Sequence, residues 1–349
     1  MRRSRTERRG ALALALASAL ASGCLAELDV DQTQRAAVCP VDQCGANAAT
    51  LNNLPFGELY LPLGPETGYG QPAANNQGLY VAGAIAPNGS TNYSLRGSKG
   101  HFSLFGQQDK LIGTELIGTV FEIASTVGDE PIEVVISDYR TVESWTSPIF
   151  NIDQYQLEVR TLNAETGEYE YRYACPTADV IGPEGAWVVI LSGERYDWDQ
   201  LAVRPQSGGL KGWFTIACTG HALAKMKLMG YEAARRQSHP FDTTLAERQA
   251  ALKMLTGDFC GTGRSFTLNG TPLFWHNHDG WSHNSAAGVG DIEARWDDSG
   301  ALCLDTPRMS VGSLAEVHAE CATVAKTLPS CQDDVVASST WTSVVPITE

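Results

Sequence analysis

His276, His278, Asp279 and His283 crowd into Trp275-His276-Asn277-His278-Asp279-Gly280-Trp281-Ser282-His283, and three imidazoles with a carboxylate suit zinc or copper. If Trp275 to His278 is extended, His276 and His278 point to one face, and a turn at Asp279-Gly280 brings His283 back toward them. The loop is also polar and glycine-bounded, so exposed histidines between packing tryptophans account for it equally well. A second group is Asp258-Phe259-Cys260. A carboxylate beside a thiol raises the thiol pKa, the wrong direction for a nucleophile, so Cys260 reads as half of a disulfide. Asp258 then orients the turn into Gly261. Trp187, Trp213, Trp275, Trp281 and Trp296, with the tyrosines from Tyr155 to Tyr173, are the material for a sugar- or peptide-binding face, although alternating aromatics on a hairpin more often face a core. No Gly-x-Ser-x-Gly, His-Glu-x-x-His, Ser-x-x-Lys, phosphate loop or Gly-x-Gly-x-x-Gly occurs.

The elements that must position these residues change character along the chain. Residues 24–76, rich in Gly, Pro, Asn and Gln, read as a tether and irregular lead-in. Residues 77–205 read as β-rich. The run from Leu111 to Phe121 repeats a Leu-Ile-Gly-Thr unit, as strands with glycine-marked bends do. Tyr155, Leu157 and Val159, then Asn163 to Gly167, then Tyr169, Tyr171 and Tyr173 read as a half-buried hairpin. Ala186 to Leu191 and Trp213 to Cys218 read as buried strands. Three helices follow. The first covers His221 to Met229; the second is capped by Thr244 and Glu247 and ends before Gly257; the third starts at Ser313 with a stripe of Leu314, Val317, Cys321, Val324 and Leu328. Short strands are expected around Thr271–Trp275, Ile292–Trp296 and Ala301–Leu304, and residues 332–349 read as a tail. The fold class is α+β, with a β-rich antiparallel part followed by a smaller disulfide-stapled part of about three helices and short strands.

At 349 residues and 43% hydrophobic content, the chain can bury one large core or two modest ones. Its net charge of -15 repels phosphate backbones, which argues against nucleic-acid partners. Five arginines before position 10 precede an uncharged run from Ala11 to Leu20, the layout of a secretion signal over residues 1–23. That run is about half the roughly 20 residues a spanning helix needs. Loss of the segment, with its five arginines and Glu7, leaves a charge of -19.

Ala21-Ser22-Gly23-Cys24 resembles the lipobox of bacterial lipoproteins, with Ala21 where leucine is usual. The resemblance implies that Cys24 becomes an acylated first residue holding the protein to a lipid membrane. Leu25, where an aspartate would retain it at the inner membrane, implies outer-membrane delivery in a Gram-negative source. The eight remaining cysteines are an even number, suited to pairing in an oxidising space.

From Tyr171 onward the sequence is similar to the ADYC-domain family of exported bacterial lipoproteins. Its naming motif stands here as Gly257-Asp258-Phe259-Cys260. Trp213-Phe214-Thr215-Ile216-Ala217-Cys218, Leu223-Ala224-Lys225, Gly230-Tyr231, Ala294-Arg295-Trp296, Gly300-Ala301-Leu302-Cys303, Arg308 and Leu328-Pro329-Ser330-Cys331 match its other blocks. Two family cysteines are replaced together, by Met226 and Ala251, as expected if those positions form a bridge. Proximity and the resemblance imply Cys39–Cys44, Cys175–Cys218, Cys260–Cys303 and Cys321–Cys331. The family carries no assigned reaction. The expectation is therefore a lipid-anchored envelope protein with a binding or structural role toward a protein or glycan; a metal-dependent exported enzyme on the histidine cluster is the alternative.

Overall fold

Val188-Val189-Ile190-Leu191 and Trp213-Phe214-Thr215-Ile216-Ala217-Cys218 are apolar at almost every position, so a sheet containing them must be covered on both faces. The computed structural model places both at the centre of a three-layer arrangement. It describes residues 48–52, 54, 56–60, 74–128, 130–175, 187–204, 213–233, 243–278, 282–283, 290–309, 311–332 and 340–346. All of them belong to one unit, Gln32–Glu349.

In chain order the strands are β1 (Glu58–Tyr60), β2 (Leu79–Ile85), β3 (Ser94–Ser98), β4 (His101–Phe105), β5 (Lys110–Ile112), β6 (Val120–Ser125), β7 (Ile132–Ser144), β8 (Ser147–Leu162) and β9 (Tyr169–Tyr173). Then come β10 (Trp187–Ser192), β11 (Tyr196–Asp197), β12 (Ala202–Val203), β13 (Trp213–Cys218) and the helices α1 (Ala222–Leu228) and α2 (Leu245–Thr256). The chain closes with β14 (Phe274–Asn277), β15 (Ser282–His283), β16 (Gly290–Asp297), β17 (Gly300–Leu304), α3 (Leu314–Thr323) and β18 (Trp341–Pro346).

The main sheet runs β1-β13-β10-β8-β7-β6-β2, antiparallel at every pair, with β9 on the far half of β8. On one face Val188, Ile190, Phe214 and Ile216 join Phe102 and Leu104 of the three-stranded sheet β3-β4-β5. Phe102 sits at the middle of that core, its ring 5.1 Å from Tyr155, 5.5 Å from Phe214 and 5.9 Å from Phe121. On the other face Val189, Leu191 and Ala217 join the helices and the five-stranded sheet β15-β14-β18-β16-β17. Consecutive residues thus feed two cores, which is why neither strand alternates.

The α+β class and the β-rich first part stand as expected. α2 has its capping box, Thr244 Oγ1 accepting from Glu247 N while Glu247 reaches back, and it ends on left-handed Gly257. α3 is shorter than its apolar stripe: it stops at Thr323, so Val317 and Cys321 are buried while Leu314 and Val324 are exposed. The Leu-Ile-Gly-Thr run forms strands with a glycine-marked bend, as its pattern implies: β5, a 3-10 turn over Gly113–Leu116, and then β6. Gly113 and Gly118 both adopt positive φ there, a conformation that breaks a ladder.

The segment boundaries blur in three dimensions. β1, from the supposed tether, and β13, from beyond position 205, hydrogen-bond to each other at one edge of the main sheet. The residues read as a C-terminal tail include β18, which lies between β14 and β16 with Trp341 fully buried. That strand was illegible because its partners lie 45 or more positions away and its own run is six residues long. No helix among the described residues is long and apolar enough to cross a membrane.

Candidate functional site

The Asp258 motif begins where α2 must turn sharply. Gly257 has φ +64, and a Cβ there would lie 2.7 Å from Thr267 Cγ2. The turn drives the Asp258 carboxylate into the interior, where it is fully buried. Its Oδ1 accepts from the backbone N–H groups of Gly261 at 2.9 Å and Thr262 at 3.1 Å. Its Oδ2 accepts from Gly263 N at 2.8 Å and Lys253 Nζ at 2.6 Å. Lys253 Nζ also donates to Gln200 O, tying in the loop between β11 and β12. The chain then packs so tightly that a Cβ at Gly261 would meet Ser299 O at 2.2 Å and one at Gly263 would meet Asp199 O at 2.0 Å. With both oxygens engaged, Asp258 fastens the 261–263 turn to α2 and, through Lys253, to the β11–β12 loop, and it has no lone pair directed at a ligand.

Disulfides fasten the same region. Cys175 bonds Cys218, Cys260 bonds Cys321 and Cys303 bonds Cys331. The expected Cys260–Cys303 and Cys321–Cys331 pairs are therefore corrected by an exchange of partners. Cys321 is on the inward face of α3, which lies over the motif, while Cys303 on β17 meets Cys331 beyond that helix. Helix phase named the buried cysteine of α3; only packing decided which sulfur it meets. Cys24, Cys39 and Cys44 lie outside the described residues.

Further ion pairs are buried around α1 and α2. Arg248 forks onto Glu194, whose carboxyl burial pushes upward in pKa against the pull of that guanidinium. Arg308 pairs with Glu293 and donates to Met254 O. Lys225 is buried on α1, and desolvation, helped by the charge of Arg308, lowers its pKa to about 7. Arg248–Glu194 and Arg308–Glu293 are thus ion pairs buried within the fold.

His276 and His278 are exposed while Trp275 and Asn277, between and beside them, are buried, so the two imidazoles do share a face. Burial of its surroundings and the charge of Arg295 lower the His276 pKa. His278 Nδ1 is 3.4 Å from Thr340 O and its Nε2 is 3.9 Å from Glu247 Oε1. β15 returns as expected, but in register: Ser282 lies across from His276 and His283 across from Trp275. Asp279 lies outside the described residues. Among the described residues, no three His, Cys, Asp or Glu side chains are grouped to hold a metal.

The aromatic candidates divide. Trp213, Trp275 and Trp296 are buried, and Tyr155 is core with its hydroxyl donated to Asp153 and accepting from Phe102 N. Tyr169, Tyr171 and Tyr173 are instead 43%, 51% and 46% exposed, which overturns the expectation of a half-buried second strand. The reason is parity. The pairing sets Tyr169, Tyr171 and Tyr173 opposite Leu162, Arg160 and Glu158. Tyr155, Leu157 and Val159 point to the other face, so the two alternating patterns never meet. The hairpin reaches past the core, with the Arg160 guanidinium 4.5 Å over the Tyr169 ring and paired to Glu133 at 2.7 Å. Among the described residues β9 is an edge strand, and its exposed tyrosines offer apolar area, hydroxyls and backbone groups together, the composition of a contact surface. The register sum across the loop was the one sequence signal that could have revealed it.

A family model described as the ADYC domain matches residues 113–310, more than half of the chain. It reaches farther toward the N-terminus than the motif blocks, taking in β6 to β10 of the main sheet. No curated protein and no solved structure matches.

Proposed function

The chain belongs to the ADYC domain family, and from that premise we propose that it is an exported envelope protein, lipid-anchored at Cys24, with a binding or structural role. Delivery to the outer membrane is part of the proposal and rests on Leu25. The observation that carries it is the pairing of six buried or nearly buried cysteines into three bridges, which needs surroundings where thiols oxidise. A fold built this way suits a protein that must persist outside the cytoplasm without turnover machinery.

The binding or structural role is supported by where the chemistry went. The carboxylate of the family motif is consumed in holding backbone, and the exposed tyrosines of β9 stand where a partner can reach them. The test is metabolic labelling with a radioactive fatty acid, with membrane fractionation of wild type and Cys24→Ala. Wild type should carry label and sediment with membranes, and Cys24→Ala should lose label and become soluble. A Cys24→Ala protein that stays membrane-bound overturns the anchor.

A further inference from the structure

Among the described residues β9 has one unpaired long edge. It pairs with β8 alone among the described residues, and all five of its side chains are exposed. Its flanks fix which backbone groups point outward. Asn163 N donates inward to Glu168 O, and Ala174 N donates inward to Leu157 O. Along an antiparallel strand the direction alternates residue by residue, so even positions from 168 to 174 point at β8. The N–H and C=O groups of Tyr169, Tyr171 and Tyr173 therefore point away from the sheet. Such a ladder is a template for another strand, and proteins usually blunt it with charged side chains, proline or a bulge. Tyr-Glu-Tyr-Arg-Tyr has no proline, and its two charges are opposite in sign, so they admit a strand of matching pattern instead of repelling every one.

The five residues are also complementary to themselves. Laid antiparallel against its own copy about Tyr171, the strand sets Tyr171 opposite Tyr171, Tyr169 opposite Tyr173, and Glu170 opposite Arg172. Among the registers that set outward-pointing residues opposite each other, this one alone pairs all three tyrosines with tyrosines, so every outward group of the three finds its mate within β9. Glu170 and Arg172 then fall at the non-hydrogen-bonded positions, where facing side chains lie closest. Both copies of the pair have opposite sign. Glu170 accepts from Asn163 Nδ2 through Oε1, which leaves Oε2 for a guanidinium. The Arg172 side chain makes no hydrogen bond or ion pair among the described residues, and its partner in this register supplies one.

We propose that the outer edge of β9 is a self-association surface: two copies of this chain pair β9 with β9, in antiparallel register about a two-fold axis at Tyr171, into one continuous sheet. The inference deepens the contact-surface reading by naming the partner, and it does not depend on the lipid anchor. The contact is isologous, so it closes at two copies. An interface of one short strand per copy is small, and the association is of the weak, transient class.

Sedimentation velocity on the full-length chain carrying Cys24→Ser, up to about 1 mM, tests it. That substitution keeps micelles out of the measurement, and failure of the anchor would show in fractionation without altering this result. Wild-type edge residues should give a concentration-dependent monomer–dimer equilibrium. Glu170→Arg or Arg172→Glu alone makes both facing pairs like-charged and should weaken the dimer about tenfold or more. The double exchange, Glu170→Arg with Arg172→Glu, restores opposite signs and should return the constant to near wild type. In a Tyr171→Cys chain the new thiol lies across the axis from its own copy and should form a dimer on non-reducing gels. A chain monomeric throughout the range, or a dimer indifferent to the single reversals, overturns the proposal; circular dichroism confirms that these exposed substitutions leave the fold intact.

Discussion

Replacing Asp258 by asparagine should cost the protein about 4–8 kcal/mol, although the shape of the side chain hardly changes. In either orientation an amide has one acceptor oxygen. If it takes the place of Oδ1 it satisfies Gly261 N and Thr262 N, and the amide nitrogen then faces Gly263 N and the Lys253 ammonium. If it is flipped, the first two N–H groups lose their acceptor instead. Two donors are stranded each way, and the pair with Lys253 loses its negative partner at a site 3% and 0% exposed. Breaking a buried pair from one side costs about 3–5 kcal/mol, and a stranded backbone donor adds about 1–3 kcal/mol. For a chain of this size that is a fall of roughly 10 °C in Tm. Urea unfolding of the purified oxidised protein measures it, alongside Lys253→Met and the double variant. Because the double variant removes charge and countercharge together, it should be less destabilised than the two single changes summed, by at least about 1.5 kcal/mol. An Asp258→Asn protein within about 0.5 kcal/mol of wild type would refute the reasoning, since that is the range of a residue that holds nothing.

The lowered Lys225 pKa predicts a pH signature. The folded chain releases this proton above pH about 7, whereas the unfolded chain keeps it to 10.5, so the unfolded state binds more protons in between and stability rises with pH across that window. At about 1.4 kcal/mol per unit the full span is on the order of 5 kcal/mol. Urea midpoints at pH 6, 8 and 10 should therefore show Lys225→Met gaining most over wild type at pH 6, and parallel profiles would refute the assignment. Met226 and Ala251 are both fully buried in the same core, where α1 packs on α2. Met226→Cys with Ala251→Cys should form a fourth bridge in this region, seen as a cross-linked peptide in non-reducing mass mapping and a gain of roughly 2–4 kcal/mol. Free thiols at both positions would refute it.

Local signals carried as far as local physics reaches. The capping box at Thr244, the left-handed glycine at 257 and the Ser313 cap each act within a few residues, and each formed where its spacing predicted. The two apolar runs at 188 and 213 announced buried strands because covering both faces leaves no room for alternation. Tertiary structure alone decided what depends on residues far apart in the chain. Cys321 met Cys260 rather than Cys331 because α3 packs over the motif turn. His276 came to lie across from Ser282 through the register of β14 with β15. The tyrosines of β9 emerged on the face away from Tyr155 because the pairing with β8 inverts their parity, and they stay exposed because the hairpin runs past the core, where both faces of β9 are open. Composition and spacing select the elements through energies of neighbouring residues; pairing and packing, which are sums over distant ones, select the partners and with them the surface the protein presents.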